Sequence, residues 1–154
     1  MAKRKSRKSD RWLLKHIFAP KPERQKSDPE RARREEELFL RMDRIIASEG
    51  LYLNKNLSLA MIAREVGTNR TYLSAVLRNR DFTFSLYLGS FRVQRVLQLL
   101  ADPAFTGVDA ADIAEMSGFM SDRTMNYYLT ATMGVTFSSI RRRTELMAGD
   151  KSSK

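Results

Sequence analysis

The stretch from Thr83 to Ala101, TFSLYLGSFRVQRVLQLLA, decides how the rest of the chain is interpreted. Its apolar residues recur at steps of three and four, the period of one face of an α-helix. These residues are Leu86, Tyr87, Phe91, Val93, Val96, Leu97 and Leu100. Thr83 is placed to cap the helix, and Asp102-Pro103 ends it because proline disfavours helical geometry in the preceding residue. The pattern predicts one long helix over residues 83–101.

Two similar short patterns flank this helix. Ile62-Ala63-x-x-Val66-Gly67 precedes it, and Ile113-Ala114-x-x-Ser117-Gly118 follows it. Each pattern continues through a glycine turn into a second short helix, which is the order of a helix-turn-helix. The copies are offset by 51 residues up to the glycine and by 52 beyond it, so the second turn holds one extra residue. We therefore predict one module present twice, with the long helix as a rigid spacer.

Small polar residues mark where the short helices begin. Ser58 and Asp109 are the expected caps of the first helix in each copy, and Thr68 and Ser121 those of the second. The second helix of each copy also has a predicted inner face. Its members are Tyr72, Leu73, Val76 and Leu77 in the first copy, and Met125, Tyr128, Leu129 and Met133 in the second.

Around the two copies, a helix is expected to begin at Asp28-Pro29 and to end before Gly50, and a last helix to begin near Thr136. The predicted fold is all-α, with about seven helices and two helix-turn-helix subdomains joined by the long central helix. The predicted divisions are a basic flexible arm (1–28), a solvated helical extension (29–37), a double helix-turn-helix domain (38–144) and a flexible tail (145–154). Within the domain the motifs span about 58–79 and 109–133.

The net charge of +10 favours a polyanionic partner. Residues 1–28 hold ten Lys or Arg and three Asp or Glu, against eighteen and fifteen in the remaining chain. Charge alone therefore supports only a nonspecific anion-binding arm, and any sequence-specific recognition must come from the body. The segment from Trp12 to Phe18 is amphipathic, so it fits docking on the body or on an anionic membrane surface. A flexible arm that attracts nucleic acid is the favoured interpretation.

Several classes of function are excluded by residue content. The chain has no cysteine, and His16 is its one histidine, which rules out disulfides, thiolate metal sites and a Ser-His-Asp triad. No apolar run approaches the roughly 18 residues of a membrane span. The start, MAKRKSRK, lacks the apolar segment of a secretory signal. We expect no enzyme, no cofactor and no bound metal, because no nucleophile-base pair, metal cluster or phosphate loop is present.

Three segments resemble the DNA-binding domain of the AraC/XylS family of transcription regulators. They are LSLAMIAREVGTNRTYLSAVL, FSLYLGSFRVQRVLQLL and IAEMSGFMSDRTMNYYLTATMGVTFSSIRR, and the likeness covers roughly Leu38 to Arg143. The resemblance implies that two recognition helices enter successive major grooves on one face of double-stranded DNA, so that one monomer suffices. A central helix of nineteen residues is about 28 Å long, which is compatible with the roughly 34 Å between such grooves.

The resemblance also implies base-reading positions on the exposed side of each recognition helix. In the first copy they map to Asn69, Arg70, Thr71, Ser74 and Ala75, and in the second to Asp122, Arg123, Asn126 and Tyr127. Arginine suits guanine or phosphate, and asparagine suits adenine. Hydroxyls at helix starts, Ser85 and Ser138, suit phosphates. Arg78, Arg92 and Arg141 either add positioning contacts or are only solvated.

The chain departs from the family at several of these places. Arginine is usual at the positions of Ala75 and Tyr127, basic residues near Thr130 and Ala131, and proline at Phe137. The second recognition helix is therefore poorer in positive charge than the resemblance implies. Two hypotheses stay open: a sequence-specific DNA-binding transcription regulator, or a helical protein-interaction adaptor with a degraded DNA-binding surface.

For the regulator hypothesis we expect a cytoplasmic, nucleoid-associated protein that binds promoter sites. RNA polymerase or a regulatory protein is kept open as a further partner. The 37 residues before the domain are too short and too polar for a sensor domain. The chain therefore resembles stand-alone members of the family, or the detached DNA-binding end of a longer regulator.

Overall fold

The computed structural model describes residues 28–151, and within them every regular element is helical. The seven α-helices are α1 (Pro29–Ser48), α2 (Leu59–Glu65), α3 (Arg70–Arg78), α4 (Phe84–Ala101), α5 (Ala110–Met116), α6 (Asp122–Met133) and α7 (Phe137–Lys151). Two 3₁₀ turns, Leu51–Leu53 and Pro103–Phe105, follow α1 and α4. The predicted all-α fold with two helix-turn-helix subdomains and a long central helix is confirmed. The basic arm with Trp12–Phe18 lies outside the described residues.

The chain divides after Arg33 into two compact units. The described part of the first unit is the start of α1, where Asp28 accepts a hydrogen bond from the Glu30 backbone N–H through its side chain. Proline at the next position needs no donor there, so the predicted start of α1 is confirmed. The second unit runs from Arg34 and holds both helix-turn-helix motifs.

The helix starts follow the predicted caps with one exception. Ser58, Thr83 and Ser121 each accept a hydrogen bond from a backbone N–H three residues on. The predicted cap at Thr68 was wrong, because its own N–H bonds to Ala63 O at 2.8 Å and closes the turn after α2. Asn69 caps α3 instead, its Oδ1 accepting from Tyr72 N at 2.8 Å. Asp109 holds the N-cap position of α5 without a side-chain hydrogen bond.

Helix α4 contributes to two hydrophobic cores. Tyr87 and Leu88 pack in the first core with residues of α1, α2 and α3, among them Met42, Ile46, Ile62, Leu73 and Leu77. Val93, Val96 and Leu99 pack in the second core with Phe119 of the second turn and with residues of α5, α6 and α7, among them Ile113, Met125, Leu129 and Phe137. Helix α4 is thus part of the hydrophobic core of both subdomains. That sharing explains why Leu88 and Leu99, outside the predicted apolar face, are buried.

The second core also departs from the predicted inner face of α6. Met125 and Leu129 are fully buried, whereas Met133 is 47% exposed. The prediction for Met133 was wrong because the chain turns at Gly134, where φ is +69°, and Phe137 at the start of α7 enters the core instead. The sequence alone does not fix this exchange, since both side chains are apolar.

Polar contacts join α1 to α4 and to the turn after α3. The Tyr87 hydroxyl donates to Asp43 Oδ1 at 2.5 Å, and burial with this contact raises the pKa of Tyr87 well above its usual value. In the turn after α3, Arg80 pairs with Glu36 at 2.5 Å and stands over the Phe39 ring at 4.5 Å. The acidic run of α1 therefore contacts the turn that follows the recognition helix.

Candidate nucleic-acid interface

The two motifs have the same backbone turn. Gly67 and Gly118 take left-handed φ angles of +75° and +83°, and the next residue in each case bonds back to Ala63 or Ala114. In the first motif Asn69 then caps the recognition helix α3. In the second, one further residue precedes the cap of the recognition helix α6, and Met120 stands there with 69% of its surface exposed. The inserted residue inferred from the offsets is thus located in the second turn.

The exposed side of α3 is polar and cationic. Asn69, Arg70, Thr71 and Arg78 are exposed, and Ser74 is half-buried between them and the core. An open groove of about 470 Å³ runs between α3 and the starts of α2 and α4. Four of the predicted site residues line this first-motif groove together: Arg70, Ser74, Arg78 and Ser85. Two guanidinium groups and the N-terminus of an eighteen-residue helix make the groove suited to a phosphate.

Asn69 caps helix α3, in addition to its predicted contact with adenine. Its Oδ1 already accepts the capping hydrogen bond from Tyr72 N. A bidentate contact with adenine uses both ends of the amide. The oxygen would then serve the base and the helix cap at once, which its two lone pairs permit.

The exposed side of α6 is chemically different. Asp122, Arg123 and Tyr127 are exposed, and Asp122 accepts a hydrogen bond from the Arg123 backbone N–H at 2.9 Å. Tyr127 is 64% exposed, and its ring meets Tyr128 edge to face with centroids 5.2 Å apart. Tyr128 in turn packs on Phe119 at 5.6 Å. The exposed surface of α6 is therefore centred on a supported aromatic ring.

Asn126 is bound at both ends of its side chain within the protein. Its Oδ1 accepts a hydrogen bond from Phe137 N at 2.9 Å, and its Nδ2 donates to Asp122 O at 3.1 Å. The first of these bonds joins α6 to the start of α7. The matching residue of the first motif, 52 positions earlier, is Ser74, which lines the first-motif groove.

The predicted phosphate-binding residues near α7 also divide into two kinds. Ser138 is exposed at the start of α7. Arg141 is half-buried, donates to the Val108 carbonyl and stands over the Phe137 ring at 4.5 Å. Arg141 thus holds α7 against the loop before α5, while Arg142 and Arg143 are exposed.

Arg92 joins the two subdomains. From α4 its Nε donates to Tyr52 O at 2.7 Å and its Nη2 to Asn54 O at 2.8 Å, both in the loop between α1 and α2. The guanidinium also faces the Phe119 ring of the second motif at 5.9 Å. Burial lowers the pKa of Arg92. The structure therefore shows a use of Arg92 that neither of the two interpretations included, a contact within the protein.

Two further contacts lie beside Arg92. A side chain at Gly118 would meet Tyr52 O at 2.5 Å and Leu53 Cα at 2.9 Å, so the second turn packs directly on the loop of the first subdomain. Lys55 Nζ pairs with Glu115 Oε1 at 3.2 Å across the same boundary. We call these contacts, with those of Arg92, the interdomain clasp. Sequence periodicity did not reveal them, because they join residues about 40 to 66 positions apart and most of them involve backbone atoms of the loop.

The formal charges of the two motifs have opposite sign. Residues 58–79 contain three arginines and one glutamate, whereas residues 109–133 contain one arginine and four acidic residues. Electrostatic attraction to DNA phosphates is therefore concentrated in the first motif. Within residues 28–151 there is no cluster of acidic or histidine side chains suited to a metal ion. Over the same range, no helix has the length and apolarity that crossing a bilayer requires.

The paired turns, the shared central helix and the exposed recognition helices define a double helix-turn-helix protein. A family model described as a helix-turn-helix domain matches residues 62–143, which is more than half of the chain. The chain belongs to this family, the AraC type of helix-turn-helix, and thus to the DNA-binding transcription regulators. No significant match was found among curated proteins.

A solved structure gives the same result for the fold. The chain is similar to the crystal structure of a DNA-binding transcriptional dual regulator from Escherichia coli K-12. The two are 24% identical, with a TM-score of 0.56, over 66% of this chain and 95% of the other. The likeness covers nearly all of that chain and is one of fold.

Proposed function

We propose that the protein binds promoter DNA sequence-specifically as a monomer, with α3 and α6 in successive major grooves on one face of the duplex. The observation that carries this proposal is the interdomain clasp. Helix-turn-helix proteins that place two recognition helices on DNA usually do so as dimers. Here Arg92 and Gly118 fix one motif against the other, so the two recognition helices of one chain have a set separation.

The length of α4 is compatible with that separation. Its eighteen residues span about 27 Å, and adjacent major grooves on one face are about 34 Å apart. Helix α6 packs against α4, so the spacing between the recognition helices is set by packing as well as by helix length.

The two motifs contribute unequally in this proposal. Arg70 reads a base edge, with guanine as the matching partner of an arginine. Arg78, Ser85 and the N-terminus of α4 hold phosphate in the first-motif groove. Asn126 and Arg141 serve the fold, because their polar atoms already bind Phe137, Asp122 and Val108. The domain proposed to bind DNA is residues 38–144, and the protein acts at the nucleoid in the cytoplasm.

A non-enzymatic protein-interaction adaptor is the second candidate. The acidic surface of the second motif favours it, since four acidic residues against one arginine repel phosphate. An adaptor of this kind would use α6 for a protein partner and would bind DNA only through nonspecific charge.

Selection of bound sequences from a random DNA pool tests the two candidates. The regulator predicts an enriched site with two blocks whose centres lie about one helical turn apart. Footprinting of the purified protein on that site should protect both blocks, and excess unrelated DNA should leave the complex in place. No enriched sequence, or equal competition by every DNA fragment, would contradict sequence-specific binding.

A further inference from the structure

Three polar groups near the exposed surface of α6 are engaged within the protein. Both polar ends of the Asn126 amide bind backbone atoms. Asp122 Oδ1 accepts a hydrogen bond from the Arg123 backbone N–H. This leaves the Arg123 guanidinium and the Tyr127 hydroxyl as the long polar groups at the predicted base-reading positions. Helix α6 therefore has fewer groups than α3 that are free to form hydrogen bonds with base edges.

Large apolar side chains are exposed on α6 and in the turn before it. Tyr127 is 64% exposed and Met120, in the turn just before α6, is 69% exposed. The equivalent position to Tyr127 in the first motif, 52 residues earlier, is Ala75, which is half-buried and small. The exposed residues of α3 itself are polar or charged. An exposed aromatic side chain does line the first-motif groove, Phe82 at 40%, but it lies after α3 and not on the recognition helix.

The Tyr127 ring packs on a neighbouring aromatic ring. It meets Tyr128 at an interplanar angle of 86°. Tyr128 is itself wedged against α4, where a side chain at Gly89 would come within 2.4 Å of the ring. Because Gly89 has no side chain, the Tyr128 ring packs on the backbone of α4. The Tyr128 ring in turn supports the Tyr127 ring. A supported aromatic ring loses little rotamer freedom on binding.

We infer that α6 recognises the C5-methyl groups of thymines in the second half of the site, chiefly through the ring of Tyr127. The thymine methyl is the one apolar group that a base pair presents in the major groove, and aromatic and other apolar side chains contact it. It carries no charge, so the acidic surroundings of the motif do not repel it. The inference rests on the proposed binding of both motifs to DNA.

Replacement of thymine by deoxyuridine removes only the methyl group and keeps the base pair. The full chain is titrated against its selected two-block site with deoxyuridine in one block at a time. We expect the second block to contain thymines and the substitution there to weaken binding about fourfold per contacted methyl group, as burial of one such group predicts. The same substitution in the first block should have the smaller effect.

The variants Tyr127→Ala and Tyr127→Phe decide whether this ring is responsible. Tyr127→Ala should bind the thymine and deoxyuridine sites equally, whereas Tyr127→Phe should keep the wild-type difference because it keeps the ring. Unchanged thermal unfolding of both variants checks that the exposed substitution leaves the fold intact.

Three results would overturn the inference, and they separate it from the proposed function. Two protected blocks with no effect of deoxyuridine in the second would reject methyl recognition alone. An undiminished deoxyuridine effect in Tyr127→Ala would reject the role of this ring. A footprint of a single block would contradict both the inference and the two-groove proposal.

Discussion

Ala63 and Ala114 occupy the same place in the two motifs, as do Gly67 and Gly118, yet the surroundings of the two glycines differ. A side chain at Gly67 would have no heavy atom within 4 Å, whereas one at Gly118 would collide with the backbone of Tyr52 and Leu53. The first turn is open, and the second is packed on the other subdomain. The two turns thus share the same local backbone geometry. The second turn forms a contact between the subdomains, whereas the first turn leaves its surface free.

The recognition helices show the same division. At matched positions α3 has Arg70, Ala75 and Arg78, where α6 has Asp122, Tyr127 and Thr130. Attraction to phosphate is assigned to the first motif, and apolar recognition to the second. In the proposed function, the two copies keep the same turn geometry and contribute unequally to affinity and specificity.

The largest expected effect comes from the pair Gly118→Ala and Gly67→Ala. Both substitutions place a side chain at left-handed φ, which costs about 1 kcal/mol. Gly118→Ala adds the collision with Tyr52 O, so its total loss of unfolding free energy should be about 3 kcal/mol or more. Urea unfolding of the two variants measures the difference. Equal losses would show that the second turn is not packed as described.

Arg70→Ala should reduce specific DNA binding by about 1–3 kcal/mol and relax the preference at one base pair. The control is removal of the one arginine of α6, Arg123→Ala, which should cost less because the second motif has the smaller electrostatic share. Titration against the selected site and single-base variants measures both. An unchanged base preference in Arg70→Ala would remove Arg70 from base reading.

Arg92→Ala should lower the unfolding free energy by about 1.5 kcal/mol, because Tyr52 O and Asn54 O lose hydrogen bonds from a charged donor. It should also weaken two-block DNA more than a site with the first block alone. Arg92→Lys keeps the charge without the planar donor pair, so it should restore only part of both losses. Equal weakening of the two DNA sites would argue against a role for the clasp in spacing.

Asn126→Ala and Ser74→Ala form a smaller pair at matched positions. The first leaves the Phe137 N–H without its partner and should cost about 1 kcal/mol of stability. Ser74 lines the open groove, so its substitution should leave the urea midpoint nearly unchanged. A neutral Asn126→Ala that instead alters base preference would return Asn126 to the predicted contact with adenine.

The smallest effect is expected for Glu115→Gln. Glu115 pairs with Lys55 at 3.2 Å, but its side chain is 72% exposed. Exposed ion pairs contribute about 0–1 kcal/mol and are screened by salt. Thermal unfolding at low and high salt should therefore show a difference below about 0.5 kcal/mol, which vanishes at high salt. A larger, salt-independent loss would make this pair a principal contact of the clasp.

Much of the fold followed from periodicity and caps, because these act over three or four residues. The 3.6-residue pattern located α4, and hydroxyl caps at Ser58, Thr83 and Ser121 located three helix starts. The predicted cap at Thr68 failed because its N–H closes the preceding turn, a use that residue type does not reveal.

The placement of the proposed site residues along the two recognition helices was predictable, but the partners of their side chains were not. The resemblance indicated which residues lie along α3 and α6. Asn126 and Arg141 are polar residues at suitable places, yet their partners are Phe137 and Val108, brought near by the arrangement of α7. Arg92 and Gly118 meet the loop at Tyr52 only after both cores form. Such long-range contacts depend on packing, which residue spacing does not encode.

We propose above all that one chain holds two unequal recognition helices at a fixed separation. The most direct test is equilibrium binding to the selected site with base pairs inserted between its two blocks. An insertion of about five base pairs, half a helical turn, should reduce affinity to that of the first block alone, and about ten should not restore it. Full affinity after either insertion would contradict a fixed separation.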